Sequence, residues 1–100
     1  MKPLVVTLCG STKFKKEFID TNFNETMEGH IVLTVGGFGH ADNVSITESE
    51  MQMLGNLHKR KIDMSDEILV INVGGYIGKN TEEEIEYARQ CGKHVRFLEV

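Results

Sequence analysis

The stretch from Asn72 to Ala88, N-V-G-G-Y-I-G-K-N-T-E-E-E-I-E-Y-A, concentrates the groups in this chain best suited to chemistry. The apolar run Ile68-Leu69-Val70-Ile71 feeds a loop holding Gly74, Gly75 and Gly78, and that loop enters a helix with an acidic start. Ligands of open α/β sheets sit at such strand-to-helix ends. Glycines there let a ligand approach the backbone, and a fixed carboxylate can attack an electrophilic carbon or stabilise positive charge developing on it. Glu82, Glu83, Glu84 and Glu86 all suit the positive end of a helix dipole. Spacing separates them: Ile85 and Ala88 mark the face packed on the sheet, Glu82 and Glu86 point away, and Glu84 lies between core and ligand. Two roles are open to Glu84, because Thr81-x-x-Glu84 is also a capping box in which the carboxylate reaches back to a backbone amide.

Two further loops carry the same signature. Cys9-Gly10-Ser11-Thr12, with Phe14 just beyond, follows the first apolar run. Its glycine gives close access, the amides opening the next helix point toward an anion, and Ser11 and Thr12 add hydroxyl donors. A plain turn with Ser11 or Thr12 as N-cap is compatible with that role. Gly36-Gly37-Phe38-Gly39-His40 reads as a flap whose Phe38 either stacks on a planar base or packs under its own loop or in a dimer contact. Tyr76 offers a second aromatic from the third loop.

Other chemistries lose ground. The first loop matches neither G-x-x-x-x-G-K-[ST] nor G-x-G-x-x-G, so ATPase and dinucleotide-binding readings are not expected. A formal charge of -4 argues against a scaffold for polymeric nucleic acid. Cys9 and Cys91 lack metal or redox spacing and read as reduced, largely buried thiols. The histidines at 30, 40, 58 and 94 form no H-x-x-x-H pair, so neither a metal nor another cofactor is expected. Lys59-Arg60-Lys61 reads as a solvated helix face, and Asp66 as a cap of the turn into the third strand.

These loops require a scaffold of alternating elements. Leu4 to Cys9 reads as a buried strand, and apolar residues at 14, 18, 19, 23 and 27 predict a helix over 13–28 with Gly29 as its stop. Ile31 to Val35 is a second strand. Thr47 to Ser65 is a second helix, opened by the capping box Thr47-x-x-Glu50. Strands at 68–73 and 94–98 flank a third helix over 81–90. The order βαβαβαβ predicts one flavodoxin-like α/β domain with a four- to five-stranded, mostly parallel sheet and all three strand-to-helix loops at one edge. One hundred residues with 40% hydrophobic content build only a thin core. Met51, Met53, Leu54 and Leu57 give the second helix more apolar surface than one sheet face needs, and a homodimer is expected. The apolar run after Met1-Lys2-Pro3 is too short for a signal h-region or a membrane span, which points to the cytoplasm.

L-C-G-S at 8–11, a helix ending in Ser65-Asp66 before an apolar strand, and G-x-x-T-x-x-E-I-x-Y-A from Gly78 to Ala88 together resemble the nucleoside 2-deoxyribosyltransferase superfamily, particularly its deoxynucleoside 5′-monophosphate N-glycosidases. The match runs in order along nearly the whole chain, with the first and third loops its specific parts. The resemblance implies a flavodoxin-like fold, a dimer, and cleavage of an N-glycosidic bond with Glu84 as nucleophile. It places Ser11 and its neighbours on the base or the 5′-phosphate. The acid that assists the leaving base in the family falls here near His58, an imidazole able to donate a proton near neutral pH, with Asp63 as the other candidate. The tyrosine that some members carry in strand one falls near Thr7, and Tyr76 is the residue available to replace it.

The expected activity is therefore cleavage or transfer at the N-glycosidic bond of a deoxynucleoside or its 5′-monophosphate. Glu84, His58 and Asp63 are its chemical residues. Cys9, Gly10, Ser11, Thr12, Phe14, Gly37, Phe38, Gly74, Gly75, Tyr76, Gly78 and Thr81 line the substrate. A non-catalytic module holding a nucleotide or a nucleotide-derived signal on the same loops is the alternative.

Overall fold

The computed structural model describes residues 2–100. Four strands, β1 (Val5–Gly10), β2 (Ile31–Leu33), β3 (Glu67–Ile71) and β4 (His94–Phe97), alternate with three helices, α1 (Lys15–Met27), α2 (Glu48–Asp63) and α3 (Lys79–Gln90). The sheet order is β2-β1-β3-β4 and every pairing is parallel. This is the α/β architecture that the alternating pattern predicts. The central strands are apolar without alternation because both of their faces are covered.

Side-chain alternation sends neighbouring residues of one strand into two cores. Val6, Leu8, Leu69 and Ile71 meet Phe18 of α1 on one face. Cys9, Ile68 and Val70 meet Ile62 of α2 together with Ile85 and Ala88 of α3 on the other. Three layers result. The chain turns one way from β1 to β2 and the other way from β1 to β3, so the crevice between the carboxyl ends of β1 and β3 is the topological switch point.

Helix α2 is unlike the other two. It begins with the expected capping box: the Glu50 amide donates to Thr47 Oγ1 at 3.2 Å and the Thr47 amide to Glu50 Oε1 at 2.9 Å. Residues 41–57 are nevertheless exposed throughout, and burial starts only at His58. The first ten residues of the helix thus project as an arm from a molecule measuring 42 × 27 × 22 Å. None of the described helices is long and apolar enough to cross a membrane.

At the opposite edge of the sheet, Arg96 of β4 donates to both Glu67 and Glu25, carboxylates that are themselves buried. Asp66 does not cap the turn into β3. Its carboxylate accepts the Val5 amide at 2.8 Å and clamps the start of β1.

Candidate functional site

The first loop turns on Gly10, whose φ is 154°. A Cβ there would come within 2.9 Å of the Ile71 carbonyl oxygen, so β1 and β3 can approach at their ends only with glycine in this place. Helix α1 starts at Lys15, later than its apolar spacing suggests, with Phe14 at the N-cap and no side-chain capping bond. Ser11 and Thr12 therefore do not cap it. Ser11 Oγ accepts the Lys13 amide at 3.3 Å, and Thr12 Oγ1 accepts the His40 amide at 3.4 Å, tying the first loop to the second.

Phe38 is half-buried, edge-on to Phe18 with ring centroids 5.7 Å apart. Of the two roles open to it, this is the packing one: the ring lies beneath its own loop because α1 offers an aromatic partner there. Gly37 remains exposed. Phe14 and Tyr76 instead form the aromatic pair at this edge, 5.9 Å apart and edge to face, with Lys13 Nζ 3.6 Å above the Tyr76 ring.

The third loop is clasped rather than open. Asn72 Nδ2 donates to the Glu99 carbonyl, the Glu99 amide donates to Asn72 Oδ1, and the Gly74 amide donates to the Glu99 carboxylate at 3.1 Å. Gly74 and Gly75 have φ of 63° and 81°, the left-handed turn that this clasp requires. Glu99 was not legible in the sequence as part of the site.

Helix α3 begins at Lys79, two residues before the start its acidic run suggests, and its N-cap is Gly78. Thr81 is consequently a buried residue of the first turn, and the Thr81–Glu84 capping box does not form. Glu84 is released from that role and faces inward. Its side chain is 19% exposed, and its Oε1 lies 3.8 Å from His58 Nε2. The imidazole is buried on α2, with Nε2 3.3 Å from Cys9 Sγ on β1. Sheet and two helices thus bring together three residues that no local spacing connects.

Burial sets the protonation of this trio. It raises the Glu84 carboxyl from the usual 4.5 to about 7, against the opposing hydrogen bond from Cys9. Burial, with the Lys61 charge adding to it, lowers His58 from 6.5 to about 4. Burial and the Glu84 charge raise the Cys9 thiol well above its ordinary range. Near neutral pH the imidazole and thiol are therefore uncharged, while the carboxyl is poised between its two forms. An uncharged His58 cannot deliver a proton as an imidazolium.

Asp63 is not part of the trio. It sits five residues beyond His58, about 7 Å along the helix axis, where its carboxylate holds the Tyr87 hydroxyl at 2.5 Å and Arg60 Nε at 3.1 Å. Glu82 and Glu86 are exposed, as expected, and so is Glu83. Cys91 is also exposed, contrary to the expectation that both thiols are buried.

Comparison of the chain with protein-family models and with curated proteins finds no match to either.

Proposed function

We propose that this protein cleaves, or transfers at, the N-glycosidic bond of a deoxynucleoside 5′-monophosphate or deoxynucleoside, with Glu84 as the nucleophile, as its motifs' resemblance to the nucleoside 2-deoxyribosyltransferase superfamily implies. One observation carries the reading. Glu84 is a mostly buried carboxyl in the second turn of α3 near the switch point, not engaged as a cap and, among the described residues, in no direct ion pair with a lysine or arginine, Lys59 acting on it only at longer range. A carboxyl held in such a place, poised near neutral pH, is characteristic of a group retained for chemistry.

In the proposed reaction, ionised Glu84 approaches the anomeric carbon as the bond to the base breaks through an oxocarbenium-like state. The base leaves with the bonding electron pair. The glycosyl ester on Glu84 is then opened by water, or by a second base in transfer. The Phe14–Tyr76 pair offers an edge for the base, and the Ser11 and Thr12 amides offer donors to a 5′-phosphate, the Lys13 and Phe14 amides being turned onto Ser11.

A homodimer belongs to the same proposal. The projecting half of α2 exposes Met51, Met53, Leu54 and Leu57, each between 42 and 54% accessible. Glu48 and Glu50 lie at its start, and Lys59, Arg60 and Lys61 near its end. Two copies laid antiparallel cover the apolar residues and set each acidic start against the other's basic end, a two-fold arrangement.

Incubating the protein with each deoxynucleoside monophosphate and resolving free base by chromatography tests the activity. Release of base by the wild type and its loss in Glu84→Gln support it. Binding of the nucleotides without release assigns the chain to the non-catalytic alternative.

A further inference from the structure

We propose that Cys9, His58 and Glu84 form a zinc site. The proposal is independent of the glycosidase reading, although it uses the same carboxylate. Three elements supply three donors of different kinds: a thiol from β1, an imidazole from α2 and a carboxylate from α3. Their ligand atoms all lie within 4.8 Å of one another. Zinc bonds of about 2.3 Å to sulfur and 2.0–2.2 Å to nitrogen or oxygen, opened to tetrahedral angles, place neighbouring donors about 3.3–3.6 Å apart. The separations here, 3.3 Å from sulfur to imidazole and 3.8 Å from imidazole to carboxylate, bracket that range. The third separation, sulfur to carboxylate, is within 4.8 Å, so closing the shell asks the Glu84 side chain to move inward toward the other two donors.

The donor set selects the ion. Magnesium and calcium take oxygen ligands and disfavour thiolate and imidazole, whereas sulfur and nitrogen in tetrahedral array suit zinc. Charge agrees, because no described lysine or arginine is in direct contact with Glu84, Lys59 acting only at longer range, and a divalent ion would place a counter-charge in contact. Binding would release the Cys9 proton to solvent as the thiolate forms. With three protein donors the fourth position falls to water or another small ligand, and Glu84, the most exposed of the three, marks the side from which it enters. An ion held there would occupy the Glu84 carboxylate, so metal binding and attack on a sugar would exclude one another.

Cobalt(II), titrated anaerobically into the full chain, reports the site without substrate or turnover. The expected result is one equivalent bound, with a thiolate-to-cobalt charge-transfer band in the near ultraviolet, tetrahedral transitions in the visible, and displacement by equimolar zinc. Cys91→Ser retains the spectrum. Cys9→Ala abolishes the thiolate band, and His58→Gln and Glu84→Gln each weaken binding at least tenfold. Circular dichroism checks folding. Should Cys9→Ala not fold, His58→Gln and Cys91→Ser decide between them, since only the former then loses cobalt. Absence of a thiolate band in the wild type, or its loss in Cys91→Ser but not in His58→Gln, overturns the proposal. Neither result bears on base release from deoxynucleotides, which is measured without added metal.

Discussion

His58 Nε2 and Glu84 Oε1 face each other 3.8 Å apart across the groove between α2 and α3, and burial drives their affinities for a proton in opposite directions. Linkage turns this into two slopes. Glu84 titrates at about 7 folded against 4.5 unfolded, so it favours the fold below 4.5 and loses that contribution as pH rises to 7. His58 titrates at about 4 folded against 6.5 unfolded, so its contribution is complete above 6.5 and is lost as pH falls to 4. Over the shared window the two oppose one another. Glu84→Gln should expose the histidine slope alone: relative to the wild type, the variant gains stability between pH 4.5 and 7, by up to about 3 kcal/mol. Urea melts at intervals across that window measure the difference, and a difference independent of pH would show that Glu84 is not held as described.

In the proposed reaction only ionised Glu84 attacks. Base release, expressed as kcat/KM, should therefore rise with pH through about 7 and level off above it. Glu84→Gln should lower turnover on the order of a thousandfold or more, while Glu82→Gln and Glu83→Gln, equal in charge change but exposed, leave the rate nearly intact. Full activity in Glu84→Gln would place the chemistry elsewhere.

If the first loop holds the phosphate as proposed, a nucleoside 5′-monophosphate should bind more tightly than its nucleoside. Calorimetry of both ligands should show that gap, and Ser11→Ala should narrow it. Equal affinities would remove the phosphate from this loop.

A dimer built on the α2 arm should give twice the chain mass by light scattering at micromolar concentration. Leu54→Glu together with Leu57→Glu puts charge on the apolar stripe and should yield monomers that remain folded, because neither side chain belongs to a core. A wild type of single-chain mass would refute the arrangement.

Arg96 is the partner of two buried carboxylates, Glu25 and Glu67. Arg96→Leu leaves both charges without it and should destabilise the fold by about 3–5 kcal/mol. Denaturant unfolding at pH 7 measures the cost. A change under about 1 kcal/mol would mean that the carboxylates find water instead.

The scaffold was readable because its signals are local. The apolar runs of β1 and β3, the Thr47–Glu50 box and the glycine-bearing strand ends each announce themselves within a few residues. The start of α3 was misread by two residues because Gly78 caps it in place of a polar side chain, and that small error hid the fact that Glu84 is not a capping residue. Cys9 and His58 are 49 positions apart and meet only through the crossover that carries α2 over β1. Nothing in their neighbourhoods along the chain could have paired them. The same holds for Arg96 and Glu25, 71 positions apart. For Phe38 the sequence left packing and stacking open, and the choice belonged to Phe18, a residue of another element.

The α2 arm also divides the molecule in time. In a single chain, without the second copy laid against it, its first ten residues are exposed, and a helix of that length is marginal in water without lateral support. Their amides should exchange with solvent long before those of His58 to Asp63, which the sheet shields. Opening would travel along the helix from Thr47 and halt at His58. The residue that faces Glu84 therefore stands at the boundary between the part of α2 that breathes freely and the part that opens only with the whole fold.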